Sequence, residues 1–284
     1  MYVPRVEHKS VFANGLRFAY LEHGNGGLVL LLHGFPDTAH TWDRTAPELA
    51  AAGYRVVAPF MRGYYPTAIP ADGAYDTDTL AKDVLGLIEA LGAERAIVVG
   101  HDWGANAAYA AAARQPERVR LLVTLAVPHP RSIKPSPRLM WTARHFLALR
   151  RRDAAELVAR DDFAYVDRLV RRWSPTWNVP RAETARAKAA FREPGCLAAA
   201  CAYYRELSFR LPDLFKLPIT VPAVSFAGVD DPFLQPRAYE KARHCFTASY
   251  EVVQMPGGHF VHREHPDQFV PELARVLRDH DRVP

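Results

Sequence analysis

No stretch of this chain approaches the roughly 20 apolar residues that a membrane-spanning helix needs. The longest apolar runs, among them Leu28 to Leu32 and Ala96 to Val99, are strand-sized. A transmembrane segment is thereby excluded, and no membrane partner is expected. Cysteine is scarce as well. Cys196, Cys201 and Cys245 are odd in number and lack metal-ligand spacing, which argues against a disulfide framework and for reduced, packed thiols. Met1 to Ser10 mix charged and polar side chains with no apolar signal core, so a cytoplasmic location is expected. Internal repeats and low-complexity tracts are absent, which sets aside solenoids and long linkers.

What is present fits a globular protein. The 284 residues, 49% of them hydrophobic, can bury one large core, or a core with a smaller insertion. The net charge is +5, and many arginines fall between Arg131 and Arg210, including Arg150, Arg151 and Arg152. A basic face could attract nucleic acid. Here Asp153, Glu156, Asp161, Asp162 and Asp167 are interspersed and no nucleic-acid motif accompanies them, so the segment reads as a solvated helical surface.

Strand and helix patterns alternate along the first half. Leu16 to Leu21, entered by the turn Asn14-Gly15, and the buried run Leu28 to Leu32 read as strands. Ala46 to Ala52 reads as a helix ending at Gly53, and Tyr54 to Ala58 as the next strand. Thr77 to Leu91 is a helix stopped by Gly92, Ala96 to Val99 a strand, Ala105 to Arg114 a helix and Leu121 to Leu125 a strand. Such alternation implies an α/β protein with a parallel sheet covered on both faces. Beyond Pro128 prolines cluster, and helical, Arg- and aromatic-rich segments run to about Phe215 without a buried strand, as a helical insertion would. Pro222 to Ala227 and Ser249 to Val253 restore the strand signal, and Pro236 to Arg243 and Pro266 to Arg278 complete the helices.

Gly100-His101-Asp102-Trp103-Gly104 lies directly between a buried strand and a helix, the setting of a nucleophile elbow. The turn forces its central residue into a strained conformation and brings strand and helix so close that glycine is needed on both sides. Asp102 is therefore the candidate nucleophile. A carboxylate attacking an acyl carbon would give a reactive anhydride, whereas attack on a saturated carbon bearing oxygen or halide gives an ordinary alkyl ester. The substrate should be an alkylating electrophile.

On these residues the chain resembles the α/β-hydrolase superfamily, in particular its Asp-nucleophile branch of epoxide hydrolases and haloalkane dehalogenases. The resemblance implies an eight-stranded, mostly parallel sheet flanked by helices. It also implies a core domain over 1–129 and 218–284 with a helical cap, 130–217, inserted after the sixth strand. An ester on Asp102 must be cleaved by water activated by a base, which His supplies. His259, after Pro256-Gly257-Gly258, stands where this superfamily places that residue; His262 and His265 are nearby. In Gly228-Val229-Asp230-Asp231 the family spacing favours Asp231 as the acid orienting His259, with Asp230 the alternative. His33-Gly34-Phe35-Pro36 resembles the oxyanion-hole loop, which assigns the N–H groups of Phe35 and Trp103 to the oxyanion and a cis bond to Pro36. Trp42 and Asp37 are expected to line or brace this loop, Trp42 as a substrate-binding candidate, with packing the equally weighted alternative.

The leaving oxygen of an epoxide is strongly basic and needs a proton or a strong hydrogen bond, which a phenol provides. The segment Gly195 to Arg205 resembles the cap helix carrying the family's catalytic tyrosine, which assigns Tyr204 as electrophile and leaves Tyr203 as a neighbour in substrate binding. Tyr165 is the candidate for the second family tyrosine. Halide needs only N–H donors; Phe35 occupies the loop position where many dehalogenases carry Asn, although Trp103 with Trp141, Trp173 or Trp177 could serve. The expected function is opening of a small hydrophobic epoxide to a diol, by a monomer or homodimer without metal or organic cofactor. Dehalogenation is the alternative, and a catalytically silent ligand receptor the alternative of another class.

Overall fold

The computed structural model describes residues 8–134, 136–208 and 210–281; the polar start up to residue 7 and the last three residues assigned to the core lie outside them. Eight strands form one sheet in the order β1-β2-β4-β3-β5-β6-β7-β8. They are β1 (Lys9–Ala13), β2 (Leu16–His23), β3 (Gly27–Leu32), β4 (Tyr54–Pro59), β5 (Ala96–His101), β6 (Val119–Leu125), β7 (Ala223–Gly228) and β8 (Tyr250–Met255). Asn14 and Gly15, at φ 45° and 72°, make the tight turn of the β1-β2 hairpin, whose first strand carried no clear apolar pattern. β2 pairs antiparallel with β1 and β4, and every pairing from β4 through β3, β5, β6 and β7 to β8 is parallel. Runs such as Val29 to Leu32 and Leu121 to Val123 are apolar throughout because both faces of a parallel sheet are covered.

The helices α1 (Ala46–Ala51), α2 (Thr77–Ala90) and α3 (Trp103–Arg114) connect the first strands. Asp76 caps α2 by accepting the Asp78 and Thr79 N–H groups at 3.0 Å. Alanines at 105, 107, 108, 110, 111 and 112 are buried, which lets α3 lie close to the sheet. Between β6 and β7 run α4 (Pro137–Thr142), α5 (Arg144–Leu149), α6 (Ala154–Trp173), α7 (Ala185–Arg192) and α8 (Cys196–Arg205). α9 (Pro236–Lys241), α10 (Val261–Glu264) and α11 (Pro266–Asp281) complete the chain. One local expectation needs correction: the stretch Asp161 to Asp167 is not evenly helical. α6 is interrupted at Arg160–Phe163, where Asp161, Asp162 and Phe163 have φ of 52°, 53° and 59°. That conformation is costly for side chains other than glycine. It is held by an Arg192–Asp162 ion pair and by the burial of Phe163.

Because β3 to β8 run the same way, the loops after their carboxyl ends gather along one edge of the sheet, where open α/β sheets place their ligands. Those loops contain residues 33–37, Asp102, 229–234 and 256–259. No described helix is long and apolar enough to cross a membrane.

Candidate active site

Asp102 sits at φ 53°, ψ −116° between β5 and α3, an unfavourable backbone for any residue with a Cβ. Close packing fixes it there. A Cβ at Gly100 would stand 2.3 Å from the Gly104 carbonyl oxygen, and one at Gly104 2.4 Å from that of Leu32. The carboxylate is 14% exposed, and its Oδ1 accepts the Phe35 N–H at 2.9 Å. A Cβ at Gly34 would be 2.3 Å from the same Oδ1, so only glycine lets this loop approach. The Phe35–Pro36 peptide is cis. The second assigned donor, the Trp103 N–H, makes no described bond to Asp102; it belongs to the first turn of α3, where amides have no intrahelical acceptor.

His259 Nε2 lies 3.6 Å from Asp102 Oδ2, just outside hydrogen-bond range, and has no hydrogen-bond partner. On the other side of the ring, Nδ1 lies 3.1 Å from Asp231 Oδ2. Asp231 is held by the Phe233 and Leu234 N–H groups on its Oδ1, at 2.7 and 3.3 Å. Asp230 instead accepts the Gly257 N–H at 3.2 Å, so it serves the turn while Asp231 faces the imidazole. His262 bonds the Thr41 hydroxyl at 2.7 Å. The ring of His259 also packs on Trp173 at 4.9 Å, and the backbone N–H of His259 donates to the Trp173 carbonyl at 2.9 Å.

Burial alone would depress the His259 pKa, but Asp102 and Asp231 outweigh it and raise it to about 9. Burial alone would likewise raise the Asp102 pKa; the neighbouring His259 and the Phe35 N–H hold it below the ordinary 3.8. The resting site is therefore an imidazolium between two carboxylates. A raised folded-state pKa stabilises fully below the unfolded value, near 6.5, and that contribution disappears as the pH rises through about 9. Melting temperature is expected to fall across this interval in the wild type, and Asp231→Asn should remove much of the fall.

The two adjacent tyrosines separate. The Tyr204 ring stands edge-on to Phe35 and Trp103, at 5.4 and 5.3 Å, and burial, with Asp102 adding to it, raises its pKa well above 10. The Tyr203 hydroxyl is committed elsewhere: it donates to the Arg62 carbonyl at 2.8 Å. Arg62 is itself fixed by Asp83 at 2.6 and 2.7 Å, so Tyr203 ties α8 to the loop after β4. The single hydroxyl proton of this substrate-binding candidate is therefore used in a structural bond. Trp42, the other candidate, is fully buried and packs on His262 at 4.8 Å. Asp37 braces its loop by accepting from Arg263 at 2.6 Å.

Tyr165 is half-buried on α6 under the Arg168 guanidinium, and no described contact joins it to Asp102. Tyr165 nevertheless lies close enough for its charge to act on Tyr204. His145, 6.3 Å away from Tyr204 ring to ring, and Tyr64, whose enclosed hydroxyl has no partner, share these surroundings. Neither carries a motif at its own position.

Residues 27–266 match the family described as alpha/beta hydrolase fold. The AB hydrolase superfamily protein YfhM of Bacillus subtilis is 33% identical over 92% of this chain and 94% of its own. Epoxide hydrolase A of Mycobacterium tuberculosis is 30% identical over 94% of this chain and 96% of its own. The structure of the Bacillus megaterium epoxide hydrolase is alike in fold, with TM-score 0.84 and 23% identity over 95% of this chain and 100% of that one. With elbow, sheet order and family match in agreement, this chain belongs to the alpha/beta hydrolase fold family.

Proposed function

We propose that this protein opens an epoxide through a covalent ester on Asp102 and releases a vicinal diol. The observation that carries the reading is the carboxylate at the elbow, with one oxygen on the Phe35 N–H and the other facing His259. Epoxide hydrolase A of Mycobacterium tuberculosis, which matches nearly the whole chain, supports the substrate class. We also assign 1–129 and 218–284 as the catalytic core and 130–217 as a cap that brings Tyr204 over it.

Asp102 Oδ2 attacks the less hindered ring carbon as the C–O bond breaks, and the Tyr204 hydroxyl supports the departing oxygen. Esterification removes the charge on Asp102. One of the two anions that raise the His259 pKa is then gone, so the imidazole gives up its proton, and the opened alkoxide is the base that needs one. Neutral His259, oriented by Asp231, next takes a proton from water. The hydroxide attacks the ester carbonyl carbon, and the oxyanion forms on Oδ1, where the Phe35 N–H already stands and the Trp103 N–H is free to join. Collapse breaks the bond between the carbonyl carbon and the ester oxygen, and the departing alkoxide takes the proton of the new carboxyl, which leaves the Asp102 carboxylate, the imidazolium and the free diol.

Release of halide from the same ester chemistry is the second reading, favoured by the buried Trp173 indole N–H, which has no partner and lies beside His259. Parallel assays of diol from styrene oxide and of halide from a bromoalkane separate the two. Diol formation alone is expected, and halide release without diol would replace the reading. Tyr204→Phe should lower epoxide turnover about 100-fold, within the usual range for a positioned acid, and leave any halide release almost unaffected.

A further inference from the structure

His145, on α5, takes no part in the steps above. It is 3% exposed, and its neighbours are those of the site. Its ring stands edge-on to Trp173 at 4.7 Å, to Phe233 at 5.7 Å and to Tyr204 at 6.3 Å. Trp173 packs on His259, and the Phe233 N–H holds Asp231. The charges of Asp102 and His259 both act on the His145 ring.

The tautomer follows from one contact. His145 Nδ1 lies 3.2 Å from the Thr142 carbonyl oxygen, which can only accept. The proton is therefore on Nδ1, and Nε2 presents a lone pair. Burial pushes the imidazole pKa down to about 3, so this neutral form persists at ordinary pH. No described hydrogen bond uses Nε2. Ring opening gives such a group no work, because the departing oxygen needs a donor.

We infer that Nε2 of His145 accepts a hydrogen bond from the substrate and selects epoxides bearing a hydroxyl or N–H group beside the reactive ring. The inference rests on the epoxide-opening reading and sharpens the substrate from a purely hydrophobic epoxide to one with an apolar body and a donor. A site built around a buried acceptor discriminates against the isostere that lacks the donor, because that ligand leaves the acceptor desolvated and unpaired.

Glycidol and butylene oxide are close in size and differ by this donor. Their dissociation constants, measured by tryptophan fluorescence on Asp102→Ala protein, and their kcat/KM values on protein with Asp102 intact give two independent ratios. Glycidol is expected to be favoured about 10-fold or more. In His145→Phe the preference should collapse to near unity, while His145→Gln, which keeps an acceptor oxygen, should retain part of it. If α5 does not tolerate Phe, the flexible His145→Met reads the same ratio. A wild type without the preference, or a preference that survives in His145→Phe or His145→Met, overturns the inference. If neither epoxide is turned over by wild type, the proposed reaction fails, and the binding ratio still decides the role of His145.

Discussion

Asp102→Ala is expected to abolish turnover of styrene oxide, with a loss on the order of 10⁴-fold or more, in a protein that still melts cooperatively. The size follows from the role: without the carboxylate no ester forms, and no other described carboxylate stands between the Phe35 N–H and His259. Asp231 is on the far side of the imidazole and is held by two backbone N–H groups. The fold should survive because the elbow depends on Gly100, Gly104 and Gly34, and the small side chain relieves rather than tightens their contacts. Stopped assays for diol, with circular dichroism as the control, check both halves of the expectation.

His259→Gln should stop the cycle at a different place. Attack by Asp102 needs its own charge and Tyr204, and in the variant the opened alkoxide draws its proton from water, whereas hydrolysis needs a base, so the variant should alkylate itself once and stall. Steady-state turnover is expected to fall by at least about 10³-fold, with a burst of one substrate per enzyme. The intact protein should gain the mass of one styrene oxide, located by proteolysis on the peptide holding Asp102. A variant that is inactive and carries no adduct, beside an active wild type, would mean that His259 acts before the covalent step. Loss of the imidazolium also removes the group that most lowers the Asp102 pKa, so the burst should be faster at pH values well above 3.8.

Much of this was legible in the residues themselves. Continuous apolar runs such as Leu28 to Leu32 suit strands buried on both faces, and the glycines around Asp102 mark an elbow because close packing excludes a Cβ there. What was not legible lies where three-dimensional direction matters. Tyr203 and Tyr204 are adjacent, and helical neighbours project about 100° apart, so sequence alone does not say which faces the nucleophile. Here Tyr203 spends its hydroxyl on Arg62, and Tyr204 meets Phe35 and Trp103. His145, which no motif marks, is also brought to 6.3 Å from Tyr204, from more than a helix away in the chain. The break in α6 depends on Arg192 and on the pocket for Phe163, partners invisible to local periodicity. For Trp42 the sequence weighs packing and loop lining equally, and it packs on His262; an aromatic near a site fills core as readily as it meets ligand.

The covalent ester is tested most directly by a single turnover in heavy-oxygen water, with enzyme in excess over styrene oxide. Water attacks the ester carbonyl carbon, so its oxygen should enter the Asp102 carboxylate, and the first diol released should carry an oxygen from Asp102 and none from solvent. Heavy oxygen in that first diol, with none in the Asp102 peptide, would mean that water attacks the epoxide directly and would contradict the nucleophilic role of Asp102.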